Sequence, residues 1–188
     1  MKNIMIVGVG GQGTLLTSRI IGKVALKKGY DVKISEVHGM AQRGGSVVTY
    51  VRYGECVDEC VVEEGEADVL IAFEELEAYR YAHFLKKDGI LILNESQIDP
   101  ITVKIGVAMY PENILQELRN EHTVYEINGE KIADEIGNSK VLNSVVLGLY
   151  AKHGEFKEKD WLDVLIETVP QKTVEKNVQA FKRGYEKG

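Results

Sequence analysis

Asn3-Ile4-Met5-Ile6-Val7-Gly8-Val9-Gly10-Gly11-Gln12-Gly13 is a compact apolar run that opens into a cluster of glycines. It reads as a buried strand followed by a tight turn. The apolar spacing then changes, with Leu16, Ile20 and Val24 recurring every fourth residue. That spacing predicts a helix over about residues 12–28, closing on Lys27, Lys28 and Gly29, because cations and glycine suit a helix C-terminus. A second strand is expected at residues 31–36. Together these make a Rossmann-like βαβ start, and the expected fold is α/β: a three-layer, mainly parallel sheet with additional C-terminal helices.

Working outward, the next strand-like segment covers residues 46–53 and follows only nine residues later. A parallel crossover needs about a dozen residues or more, so this strand is expected to run antiparallel to its predecessor or to belong elsewhere in the sheet. Residues 54–67 carry six acidic side chains and read as a solvated excursion. A buried strand at 68–73, a helix at 74–86 and strands at 89–93 and 103–109 continue the α/β pattern. Helices are expected at 111–120, 129–136, 139–153 and 160–168, with a short strand at 123–127. A last helix from residue 171 carries Val174, Val178, Phe181 and Tyr185 on one stripe.

A chain of 188 residues is most simply one domain. With 29 acidic against 23 basic residues and no Lys/Arg cluster, a nucleic-acid partner is not expected. The apolar run after Lys2 is too short for a signal peptide, and no stretch approaches about 18 apolar residues, so a cytoplasmic chain without a membrane partner is expected. Cys56 and Cys60 fall short of the four ligands that an iron-sulfur or structural zinc site takes, and read as ordinary thiols. His38 or a partner chain would have to complete a shell if they held a metal.

Two stretches carry binding chemistry. Gly8, Gly10 and Gly13, leading from a strand into a helix, meet the local context of a dinucleotide fingerprint, and Glu36 lies about where an acidic residue would grip a ribose. Residues 12–30 contain no acid, which leaves the helix N-terminus open to an anion. A turn serving only helix–sheet packing, and a loop facing a partner or shared ligand, account for the same glycines. The second stretch, His38-Gly39-Met40-Ala41-Gln42-Arg43-Gly44-Gly45-Ser46, strings polar groups along a loosened backbone. Arg43 suits a phosphate or carboxylate, or else ties the loop to a carbonyl or to Glu36. His38 could carry a proton. His83, His122 and His153 read as surface or packing residues. No nucleophile elbow or triad is apparent, so catalysis by this chain alone has little support.

Val7 to Gly13, then Glu36-Val37-His38-Gly39-Met40-Ala41-Gln42-Arg43-Gly44-Gly45-Ser46-Val47, then Val51-Arg52-Tyr53-Gly54, together resemble the gamma-type subunit of 2-oxoacid:ferredoxin oxidoreductases, and within it the indolepyruvate branch. The resemblance continues through Gly65 to Leu70, Phe73-Glu74, Leu76-Glu77-Ala78, Leu142-Asn143-Ser144-Val145-Val146-Leu147-Gly148 and the terminal Lys172, Asn177, Ala180, Phe181 and Gly184. It departs at residues 55–62, where relatives often carry a less acidic segment with proline. The resemblance implies a single gamma-type catalytic domain over 1–188 in a complex that decarboxylates an arylpyruvate oxidatively. Coenzyme A would be the co-substrate, and arylacetyl-CoA, carbon dioxide and reduced ferredoxin the products. It places thiamine diphosphate and [4Fe-4S] clusters on a large alpha subunit, with none bound by this chain alone. Gly8, Gly10, Gly11, Gln12, Gly13, His38, Gln42, Arg43, Gly44 and Gly45 become candidate contacts to coenzyme A or to the partner's active site. The alternative is a stand-alone Rossmann-like nucleotide-binding protein; an assembly scaffold is a third reading.

Overall fold

The computed structural model describes residues 1–38 and 44–188. Its strands are β1 (Lys2–Val9), β2 (Asp31–His38), β3 (Ser46–Gly54), β4 (Ala67–Ala72), β5 (Leu85–Asn94) and β6 (Thr123–Ile127). They form one sheet in the order β2-β3-β1-β4-β5-β6. β4, β5 and β6 add in parallel to β1, while β3 runs antiparallel to both of its neighbours.

Successive side chains of a strand point to opposite faces, and here both faces are apolar. Ile4, Ile6, Val51, Val69, Ile71 and Ile92 pack on one side, and Met5, Val7, Val48, Leu70, Leu91 and Leu93 on the other. The first side is covered by α1 (Thr14–Lys27), α5 (Gly129–Ile136), α6 (Leu142–His153), α7 (Glu158–Thr168) and α8 (Val174–Tyr185). The second is covered by α2 (Glu75–Tyr81) and α4 (Ile114–Glu121). Burying each large aliphatic side chain contributes about 1.5–3 kcal/mol, which is why residues 3–8 anchor the whole sheet. The expected three layers are therefore present.

On the first side, α6 and α8 cross at two glycines. A Cβ on Gly148 would collide with the Phe181 carbonyl, and one on Gly184 with the Val145 carbonyl. Phe181 is fully buried, and Val174, Val178 and Tyr185 pack around the same core, as the stripe predicts. His153 stacks on Tyr125 with ring centroids 3.6 Å apart, and His83 packs against Phe84.

Several expectations change. The crossover from β1 through α1 does not set β2 beside β1; β3 is inserted between them, antiparallel as the short connection requires. The helix expected at 74–86 ends at Tyr81, and a 3-10 turn leads straight into β5, where Leu85 is buried and Lys86 pairs with Asp68 at 2.6 Å. Residues 103–109 are not a strand. Ile101–Lys104 forms a single helical turn, α3, and Gly106 at φ 74 breaks any extended path, while β6 occupies the place beside β5. The acidic excursion at 54–67 is not wholly solvated, because Val57 and Val62 are buried in it. Arg52 fastens it down, donating to the Val61 carbonyl at 2.7 Å and to Asn3 Oδ1 at 3.1 Å. Among the described residues no helix is long and apolar enough to cross a membrane.

Candidate functional site at the C-terminal edge of the sheet

The turn that ends β1 is pinned from inside. Gln12 Oε1 accepts from the Val9 amide at 2.7 Å, and its Nε2 donates to the Phe73 carbonyl at 3.0 Å. Asn94 Nδ2, at the end of β5, donates to that same carbonyl at 3.1 Å, and its Oδ1 accepts from the Gly129 amide at 2.9 Å. A polar belt thus joins the ends of β1, β4 and β5 to the start of α5. Gly8 lies under this belt, where a Cβ would stand 2.8 Å from Gln12 Oε1 and 3.1 Å from Phe73 Cβ. Its smallness is a packing requirement.

The two glycine-rich stretches meet. The Gly10 amide donates to the Gly45 carbonyl at 2.9 Å, and the Gly44 amide to the Gly10 carbonyl at 3.5 Å. These bonds prolong the β1–β3 ladder past the sheet edge. Above them opens a cleft of about 410 Å³ lined by Gly10, Gly11, Gly13, Thr14, Leu15, Glu36 and Val47. Gly13, at φ 87, is the N-cap of α1; no side chain caps the helix and no acid lies in its first turn. The positive end of the helix dipole therefore lies at this cleft and suits an anion there, while the Glu36 carboxylate on the same lining opposes one.

Glu36 reaches this cleft from β2, which stands two positions away from β1, roughly 10 Å at the usual interstrand spacing. In a dinucleotide fold the acid-bearing strand would adjoin β1 directly. Backbone pairing sets His38 opposite Val47. The proposed contacts of the His38 side chain, Gln42 and Arg43 lie outside the described residues.

Sequence reasoning missed the carboxylates beneath this rim. Glu74 is almost fully buried; its Oε2 accepts from the Glu77 amide at 2.8 Å and caps α2. Its Oε1 accepts from the Ile98 amide at 3.1 Å and from the Tyr110 hydroxyl at 2.6 Å. Burial and the Glu74 carboxylate push the Tyr110 phenol far above its ordinary value. Glu77 accepts a short hydrogen bond from Ser46 Oγ and another from Arg80 at 2.9 Å. Desolvation nevertheless pushes the Glu77 carboxyl upward, against the lowering pull of Ser46 and Arg80. The signal in the sequence was Glu74-Glu75-Leu76-Glu77 directly after a buried strand, where acids need partners to be tolerated. Asn143 of α6 was missed as well; its Nδ2 lies 2.9 Å from where a Gly13 Cβ would stand. Among the described residues no group of three or more His, Cys, Asp or Glu could hold a metal ion.

Residues 3–187 match the family described as pyruvate ferredoxin/flavodoxin oxidoreductase. The chain belongs to that family. Within it, the chain is 44% identical to a protein of Archaeoglobus fulgidus named indolepyruvate oxidoreductase subunit IorB, over 97% of this chain and 93% of the relative. Its identity to the protein of the same name from Thermococcus kodakarensis is 41%, with the same coverage. The crystal structure of a keto/oxoacid ferredoxin oxidoreductase gamma subunit from Geobacter sulfurreducens has the same fold. It aligns with a TM-score of 0.74 at 24% identity, covering 100% of this chain and 98% of that one. The inserted antiparallel β3 and the paired glycine stretches are thus features of a pyruvate ferredoxin/flavodoxin oxidoreductase chain.

Proposed function

We propose that this chain is the small subunit of an indolepyruvate-type 2-oxoacid:ferredoxin oxidoreductase, folded as one gamma-type domain over residues 1–188 and working in the cytoplasm. The complex performs coenzyme A-dependent oxidative decarboxylation of an arylpyruvate, yielding arylacetyl-CoA, carbon dioxide and reduced ferredoxin. A large alpha subunit carries thiamine diphosphate and the [4Fe-4S] clusters, which supply the carbanion and electron-transfer chemistry. The task of this chain is to hold coenzyme A and close one side of the active site.

The observation that carries this reading is the open cleft lined by Gly10, Gly11, Gly13 and Thr14 at the uncapped start of α1, with the second glycine stretch paired to its rim through the Gly10 bonds to Gly44 and Gly45. Backbone amides at Gly11, Gly13 and Thr14 suit the phosphate groups of coenzyme A. The cleft is open to one side, as a half-site completed by a partner would be. The relatives that share about two-fifths of its residues along nearly their whole length favour the indolepyruvate branch.

The test is anaerobic co-expression with the large subunit, followed by assay of ferredoxin reduction with indolepyruvate, phenylpyruvate, pyruvate and 2-oxoglutarate. Turnover should require both chains and coenzyme A and should favour the aryl substrates. A chain that stays alone and binds NAD(H) or ATP at micromolar concentration would replace this reading with the nucleotide-binding one.

A further inference from the structure

Residues 98–110 leave the sheet after β5 and return to the start of α2. Both ends are fastened to one atom, since Glu74 Oε1 accepts from the Ile98 amide and from the Tyr110 hydroxyl. The segment between is internally ordered. Gly106 donates to the Val103 carbonyl at 3.0 Å, and the amides of Val107 and Ala108 both donate to the Thr102 carbonyl, at 2.9 and 3.1 Å. Yet α3 buries none of its residues, and Ile101, Ile105, Val107 and Met109 are 70, 63, 74 and 88% exposed. Four large apolar side chains within nine residues of a well-formed turn do nothing for this chain's own core. Large exposed apolar side chains concentrated in one short segment point to a contact with another molecule.

Charge selects the occupant. A cleft of about 470 Å³ opens beside the arm, lined by Glu75, Gln97, Tyr110, Pro111, Glu112, Asn113, Ile114 and Leu115, with two carboxylates and no cation in its wall. Burial raises the Glu75 carboxyl, and the charges of Glu74, Glu95 and Glu126 raise it further against the hydrogen bond from Gln97. A second copy of this chain, with a net charge of −6, would bring like charge to this surface. A different partner, presenting an apolar groove with a basic rim, relieves it. The arm is also continuous with the ligand face, because Ile98, Asp99 and Pro100 wall a small cavity together with Val9, Gly44, Ser46 and Glu77.

We propose that residues 98–110 are a docking arm on which the large partner subunit closes, covering Ile101, Ile105, Val107 and Met109 and placing a Lys or Arg in the cleft of Glu75 and Glu112. This rests on the subunit reading given above. The base of the arm, at Ile98, Asp99 and Pro100, lies beside Gly44 and Ser46 at the glycine rim.

The experiment compares assembly of the full-length chain with the co-expressed large subunit for the wild type, Val107→Asp/Met109→Asp, Glu112→Lys, and Leu26→Asp on the outer face of α1. The double variant should keep the wild-type melting temperature, since neither residue is buried, and lose at least about a hundredfold in affinity. Glu112→Lys should lose about tenfold, with a smaller loss at high salt. Leu26→Asp should assemble normally. Wild-type affinity in the double variant would overturn the arm while leaving the subunit reading intact. Failure of the wild-type chain itself to join the large subunit would overturn the subunit reading and the arm with it. Self-association of the wild type that the double variant abolishes, with heteromeric assembly unchanged, would assign the arm to a second copy and overturn the proposal.

Discussion

The hydroxyl of Ser46, the first residue of β3, donates to the carboxylate of Glu77, three residues past the N-cap of α2. Glu74, that N-cap, holds both ends of residues 98–110. One turn of helix therefore fixes the exit of the glycine-rich loop on one flank and the exposed apolar arm on the other. Replacing Ser46 by Ala removes one of two side-chain donors to a buried carboxylate, which should lower stability by about 1–2 kcal/mol. The loop exit would also be loosened, so KM for coenzyme A in the assembled enzyme should rise, and Ser46→Thr should restore much of both. A Ser46→Ala chain with an unchanged urea midpoint would mean the bond contributes nothing.

The pH dependence of stability follows from the acids of α2. Burial raises the carboxyls of Glu75 and Glu77 above the ordinary Glu value of 4.5. A carboxyl raised on folding binds its proton more tightly in the native state. Its stabilising contribution is complete below the unfolded value and is lost as pH climbs through the raised folded value. Glu75→Gln removes that loss while keeping an acceptor for Gln97. The melting temperature of Glu75→Gln relative to wild type should therefore increase as pH is taken from about 4.5 to 7.5. A constant difference across that range would count against a raised carboxyl.

Much of the sheet was legible because buried strands write themselves as unbroken apolar runs, as at residues 4–7 and 69–73, and because a nine-residue connection forbids a parallel return. Residues 103–109 were misread as a strand because apolar side chains recur there too. Val103, Ile105, Val107 and Met109 alternate as a strand would, and nothing local says that Ile105, Val107 and Met109 face outward. Composition reports hydrophobicity, not which molecule will bury it. Gly10, Gly44 and Gly45 were each legible as parts of two binding stretches. The partners of the acids beneath were not, since Tyr110 and Ser46, which make Glu74 and Glu77 tolerable, lie about thirty or more residues away in sequence.

The crossing of α6 and α8 tolerates no side chain at its centre. A methyl at Gly184 would overlap the Val145 carbonyl and stand 3.1 Å from the Leu149 amide nitrogen, so relief requires moving a helix backbone. Gly184→Ala should destabilise by about 3 kcal/mol or more, at or beyond the upper end of ordinary overpacking. Chemical denaturation reads this directly, and a loss under about 1 kcal/mol would show that the helices can slide apart cheaply.

Gln12 should resist replacement by its acid. Its oxygen serves Val9 and its nitrogen serves the Phe73 carbonyl, so Gln12→Glu keeps the first bond and turns a carboxylate oxygen on a carbonyl oxygen. A loss of about 2–3 kcal/mol at neutral pH is expected, shrinking as the pH is lowered toward protonation of the introduced acid. Equal stability of the two proteins at pH 7 would mean that the β1 turn is not held by this bridge.

Gly11 separates the ligand role of the turn from its structural role. Its φ of 109 strains any L-residue, but a Cβ there meets nothing within 4 Å and points into open space. Gly29, just past the end of α1, offers the same open space at φ 87 on a connection far from the cleft lining. Alanine at either position should lower stability by about 1–3 kcal/mol through backbone strain alone. In the assembled enzyme only Gly11→Ala should raise KM for coenzyme A, several-fold, with kcat at saturating coenzyme A retained, because a methyl would stand where the phosphate groups approach the amides. If both variants lose the same stability and neither changes KM, the glycine turn serves packing alone and the coenzyme A assignment falls. If Gly11→Ala shifts KM and Gly29→Ala does not, the cleft above α1 is the coenzyme site.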